Sequence, residues 1–277
     1  MQRNGIPYIL GFCVAICLFC ALFVSSSAVG LRQKQNLNKE LDMKSKVLTV
    51  AGIIEEGAQV APADLQETFS RNIKAVVVNL KSGKINEEMS ETAATYDQKK
   101  ASKDPEMGEA APKHLSGVKR IPKNALVYMV CSEEQSEGNT ACDVSQYILP
   151  VEGKGLWSTM YGFIALAPDF NEIKGLTFYQ HGETPGLGGE VDNPGWKKKW
   201  IGRQVFGEAG TTPDQWAGVK VKVIKGSAGA PSEDPYHVDG LSGATITSNG
   251  VTYLLQFWLG ENGFGPYIEN VLAKNAG

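Results

Sequence analysis

The chain has 277 residues, 42% of them hydrophobic, with 27 Lys and Arg against 30 Asp and Glu, a formal net charge of −3 and a pI near 5.7. That is enough apolar chain for an anchor and a packed core. The slight acidic balance argues against nucleic acid as a partner, which a phosphate-binding domain meets with a basic excess.

The first element is an uncharged apolar run from Ile6 to Val29. A bilayer core needs about 20 such residues of helix, and Tyr8 stands where an interfacial aromatic would. The alternative is a cleaved signal peptide, for which Ser26-Ser27-Ala28 offers the small residues. The run exceeds a signal h-region of roughly 7–15 residues, which favours a retained anchor. Cys13, Cys17 and Cys20 share one helix face, as a small-residue seam against a neighbouring membrane helix would.

Orientation signals conflict. Arg3 alone precedes the anchor, whereas Arg32, Lys34, Lys39, Lys44 and Lys46 follow it, and the positive-inside rule then places the large domain in the cytoplasm. Cys131 and Cys142 bracket the polar stretch SEEQSEGNTA and could close a disulfide, which would need an oxidising compartment.

Residues 32–45 read as a charged helical stalk. Asp64 followed by Glu67 resembles a capping box, and Leu65, Phe69 and Ile73 recur at helical spacing. Ala75 to Leu80 is a β-branched run read as a buried strand. Lys84 to Lys123 is polar and rich in Lys, Glu, Asp and Pro, which reads as an exposed insertion or linker. Strand-like runs follow at Ala125–Cys131, Gln146–Val151, Leu156–Leu166, Gly175–Gln180 and Val219–Ile224. The basic run Trp196-Lys197-Lys198-Lys199-Trp200 reads as a solvated lysine face with inward tryptophans. Helical pattern returns at Gly250–Leu259 and Pro266–Ala273. Strands first and helices later point to an α+β fold with a mainly antiparallel sheet and C-terminal helices. The boundaries expected are 1–30 for a single transmembrane helix, 31–124 for a membrane-proximal region with a polar insertion, and 125–277 for the main domain.

Dinucleotide, P-loop and nucleophile-elbow fingerprints are absent from the sequence, and His114, His181 and His237 have no metal-ligand spacing. Two segments carry signals instead. The first, from His181 to Glu190, reads HGETPGLGGE, a glycine loop that lets backbone approach a ligand or simply turns. The second, from Asp239 to Ser248, reads DGLSGATITS. Small residues surround Thr245 there, and Thr247 or Ser248 is a candidate N-cap for the helix that follows.

Asp239 to Thr245 resembles the flavinylation motif D-x-x-S-G-A-T. With Gly155-Leu156-Trp157-Ser158-Thr159 and Glu183-Thr184-Pro185-Gly186-Leu187-Gly188, it stands in the order seen in the FMN-binding domain family. Within that family the chain is similar to the C subunits of sodium-translocating NADH:quinone reductases, with the flavin subunits of ion-translocating ferredoxin:NAD reductases as the nearest rival. The resemblance implies a bacterial inner-membrane protein with a periplasmic domain. It implies FMN covalently joined to Thr245 as a phosphoester by a flavin transferase, and other subunits of a membrane reductase as partners. It places the loop from Glu183 to Gly188, with Gly186, against the flavin. Leu187 is then an apolar contact and Thr184 a polar one. Trp157 and Ser158 would close the pocket, although Trp157 reads equally as a core aromatic. Ser242, Gly243, Ala244 and Asp239 flank the attachment point, and Asp239 and Ser242 would serve recognition by the transferase. A non-redox binding module, with SGAT as a plain helix-capping turn, is the reading from another class.

Overall fold

The computed structural model describes residues 5–132, 142–208, 210 and 215–275, and the chain divides after Met43 into two units. The long apolar run lies in one helix, α1 (Ile6–Val50), and its membrane-length window is wholly exposed. In the second unit, Val47, Leu48 and Val50 at the end of α1 are buried.

The centre of that unit is a five-stranded antiparallel sheet. Its strands are β1 (Ile73–Asn79), β4 (Asn124–Cys131), β5 (Val144–Lys154), β6 (Thr159–Leu166) and β7 (Ile173–Gln180), and they lie side by side in that order. β4 is buried at nearly every position, as a strand covered on both faces must be. One face carries Val127, Leu149 and Ile164 against helices α6 (Thr245–Trp258) and α7 (Gly265–Asn275). The other carries Tyr128 and Phe163, with Phe69 of α2 (Pro62–Asn72) edge-on to Tyr128 and Val50 packed on Gly175.

The polar region from Lys84 to Lys123 is folded rather than an open insertion. It forms α3 (Glu87–Glu91), α4 (Gln98–Lys103) and the small hairpin β2 (Gly108–Ala110) and β3 (Arg120–Pro122). Its order comes from sparse anchors: Ala93, Ala101 and Ile121 are buried, and the Arg120 guanidinium donates to the carbonyls of Ser102, Asp104 and Gly108. Composition hides such a segment because few apolar residues hold it. The expected capping box at Asp64 is also replaced, by an Ala61 N-cap followed by Pro62, a residue pre-set for the first helical turn. Ile73, read with the helix, begins β1.

Beyond the sheet, α5 (Pro194–Lys198) buries Trp196, and Trp200 follows it fully buried. Lys197 is not solvated as expected but buried and paired with Glu56, while Lys199 pairs with Asp239. The run expected at Val219–Ile224 shortens to β8 (Lys222–Val223), parallel to β9 (His237–Val238). Cys131 and Cys142 are disulfide-bonded, with Cα atoms 5.3 Å apart. The polar stretch 133–141 between them lies outside the described residues.

Candidate functional site

Antiparallel pairing places the end of β5, the start of β6 and the end of β7 side by side, since Lys154 pairs with Thr159 and Tyr161 with Gln180. The loop Gly155–Ser158 and the segment from His181 onward therefore leave the sheet at the same end. Helix α6 reaches that end because Gly250 packs on the Lys154 carbonyl, where a β-carbon would come within 2.3 Å. The three segments singled out in the sequence meet there.

Glu183 joins them. Its residue is 5% exposed, and its carboxylate accepts from the backbone amides of Leu156 (3.0 Å), Trp157 (3.0 Å) and Ser158 (3.1 Å), from Ser158 Oγ (3.3 Å), and from Thr247 Oγ1 (2.6 Å). Burial alone would raise this carboxyl, but the bonds from Thr247 and the three amides outweigh it and hold it below the ordinary range. Ser158 Oγ also accepts from the Gly182 amide at 2.7 Å. Glycine is required where the segments touch: a β-carbon on Gly155 would lie 2.6 Å from the Glu183 carboxyl carbon, and one on Gly188 2.6 Å from Thr247 Oγ1.

With Glu183 and Thr247 turned inward, apolar side chains face out. Leu156, Trp157, Leu187 and Ile246 are all exposed, Trp157 by 71%. Trp157 is thus no core aromatic. Leu187 bends over the SGAT turn, where Gly243 (φ +69°) leaves it room. Thr184, Pro185 and Gly186 are exposed alongside.

Thr245 itself is exposed and occupies the first helical position of α6, earlier than the apolar periodicity places the helix. The N-cap is Ala244, which offers no side-chain bond. Neither expected cap serves: Thr247 is committed to Glu183, and Ser248 Oγ accepts from the Leu241 amide at 3.1 Å. The first amides of a helix have no intrahelical acceptor, so a 14-residue helix opens here without a side-chain cap, an arrangement suited to an anion.

Asp239 does structural work in the preceding loop. It accepts from the Ala228 amide at 2.8 Å and from Ser227 Oγ, and pairs with Lys199. Its own carbonyl accepts from Trp196 Nε1 at 2.8 Å. Burial would raise the Asp239 carboxyl, but the Ala228 amide and Lys199 hold it low. Beside it the buried Arg203 donates to the carbonyls of Lys199, Asp234 and Gly229. Sequence reasoning passes over Thr247 as a support and Arg203 altogether. The first has a signal in its spacing from Thr245; the second has none.

A cleft of about 650 Å³ lies elsewhere, between the turn after α1, helix α2 and the ends of β4 and β5, lined by Asp64, Glu67, Arg71 and Gln146 among others. None of the three motif segments contributes to it.

The three segments that converge at this end of the sheet all lie within the span matched by the FMN-binding domain family, which makes this a domain of the FMN-binding class. The model of the FMN-binding domain family matches residues 155–260. Among relatives, the C subunit of the Na(+)-translocating NADH-quinone reductase of Vibrio alginolyticus is 42% identical over 98% of this chain and 96% of that protein. Its counterpart in Pseudomonas aeruginosa is 41% identical over 93% of each chain. The crystal structure of Shewanella oneidensis NqrC superposes with a TM-score of 0.72 at 31% identity, covering 85% of this chain and 99% of that one. The chain belongs to the NqrC family, the C subunits of Na(+)-translocating NADH-quinone reductases.

Proposed function

We propose that this chain is the membrane-anchored, electron-carrying subunit of a sodium-pumping NADH:quinone oxidoreductase, with FMN held as a phosphoester on Thr245. The observation that carries the reading is the exposed Thr245 at the start of α6, a helix without a side-chain cap. A phosphate esterified there meets helix amides and the positive end of the helix dipole. Leu187, Ile246 and Trp157 offer exposed apolar surface for a ring system, and Thr184 a polar contact at its edge. Gly186 and Gly243, both exposed, put no side chain over the approach, Gly188 and Ala244 are buried, and Ser242, exposed beside Gly243, is open to the modifying enzyme. Asp239, with Lys199, holds the turn that enzyme recognises.

FMN supplies the redox chemistry when bound; the chain supplies attachment, an anion site and apolar walls. Electrons pass between this subunit and its partners in the complex, and the chain alone does not act on NADH or quinone. Purified subunit showing no NADH oxidation above background supports this, whereas physiological turnover overturns it.

The exposed, uncharged length of α1 serves as the anchor in the bacterial inner membrane. The Cys131–Cys142 bond favours the periplasmic side for the domain. After mild reduction, an impermeant thiol reagent added to intact spheroplasts labels Cys131 and Cys142 if the domain is periplasmic. Labelling only after lysis reverses the orientation.

The attachment is tested by expressing the full chain with a flavin transferase and viewing a denaturing gel under ultraviolet light, beside Thr245→Leu. A fluorescent parent band that is lost in the variant supports a covalent flavin at Thr245. A dark parent band, with the transferase active on a control substrate, removes the reading.

A further inference from the structure

Ser242, Thr245, Thr247 and Ser248 all offer hydroxyls near the start of α6, and the fold sorts them. Ser248 is buried and bonded to the Leu241 amide, and Thr247 is 1% exposed and bonded to Glu183. Thr245 is exposed. Successive residues of a helix turn by about 100°, so Thr245 and Thr247 point about 200° apart. A bond that pins Thr247 inward therefore aims Thr245 outward.

We infer that Glu183 is a positioning residue for flavin attachment. Its carboxylate clamps Thr247 and the Leu156–Ser158 amides together, so that one buried group sets both which hydroxyl is presented and where the flanking walls stand. The inference rests on the reading of Thr245 as the attachment point. In the transfer, Thr245 Oγ1 forms a bond to the phosphorus of the FMN half of FAD. The phosphoanhydride bond to AMP breaks, AMP leaves with the electron pair, and the hydroxyl proton passes to a base on the transferase. Glu183 takes no proton in this step, because its carboxylate is buried and its oxygens already accept five donors, none of them Thr245. It acts through placement alone.

The test co-expresses the full chain with the transferase and compares parent, Thr247→Val, Thr247→Ser, Glu183→Gln and Thr245→Leu. Attached flavin is measured per folded molecule, and the modified residue is mapped by peptide mass spectrometry. Thr247→Val keeps the shape of the side chain and loses the donor; Thr247→Ser keeps the donor. Attachment at Thr245 is expected to fall about tenfold to a hundredfold in Thr247→Val and Glu183→Gln, the scale on which a shift of about 1 Å slows a positioned reaction. Thr247→Ser should stay near the parent. A folded Thr247→Val that is modified at Thr245 as fast as the parent overturns the inference, whether or not Glu183→Gln folds. A parent that carries no flavin, or carries it on another residue, overturns the attachment reading itself and is told apart by the parent lane alone.

Discussion

Leu187 Cδ2 stands 2.9 Å from the point where a β-carbon on Gly243 would lie, so the two loops of the site interlock through the absence of a side chain. Gly243 also sits at φ +69°, a conformation that costs a non-glycine residue about 1–2 kcal/mol. Gly243→Ala is expected to lower stability by about 1–3 kcal/mol, from backbone strain plus the overlap. Adding Leu187→Ala should recover only the part due to overlap, because the backbone strain remains. Urea denaturation of the single and double variants measures both.

Acid should open the site. Glu183 and Asp239 are both held below the ordinary carboxylate range in the native state. The unfolded chain therefore binds protons first as pH falls, and the stability these groups contribute is present above the ordinary carboxylate value and lost as pH drops below it. Asp239→Asn, which loses the charge facing Lys199, should weaken this acid sensitivity and lower stability at neutral pH. Melting temperatures between about pH 3 and 7 provide the comparison.

Glu152 behaves in the opposite sense. Burial pushes its carboxyl from 4.5 up to about 7, against the pull of Lys99 and Lys103. Between those values the unfolded chain has lost a proton that the native state keeps, so native stability declines as pH rises across the window. Glu152→Gln should flatten this decline and stabilise the domain at pH 8 by up to about 3 kcal/mol, at 1.36 kcal/mol per unit. Urea midpoints at pH 5 and pH 8 distinguish the outcomes.

The Cys131–Cys142 bond closes a short loop, with a sequence separation of 11. Loop-closure entropy gives about 2–3 kcal/mol for that length. Replacing both cysteines with serine should lower stability by about that amount, and a reducing agent should shift the parent and leave the variant unchanged. Denaturation with and without reductant shows this.

The main strands and the last helix are legible in the sequence because burial demands apolar residues at matching positions, unbroken where both faces are covered, as at Ala125–Cys131. Residues 84–123 read as open chain because their order rests on scattered anchors such as Ile121 and on Arg120 bonding to carbonyls, which no periodicity records. The start of α6 lies ahead of its apolar pattern because Thr245, Thr247 and Asn249 are poor helix formers, and tertiary contacts around Thr247 and Ser248 override that preference. Lys197 looks solvated in the sequence because its partner, Glu56, is 141 residues away.

What the sequence determined by itself was local chemistry: a run long and apolar enough for a membrane, and glycine-rich segments in the order of a known family, with Thr245 among small neighbours. What only the tertiary structure decided was the use of each polar group. Thr245 and Thr247 are the same residue type two positions apart, and although the motif ends on Thr245, no local feature names the partner that holds Thr247 inward. A buried carboxylate must find donors, and only folding brings Glu183 to Thr247 and to the amides of Leu156, Trp157 and Ser158. Desolvation makes that pairing obligatory, and the helix rotation that follows leaves Thr245 as the hydroxyl facing outward.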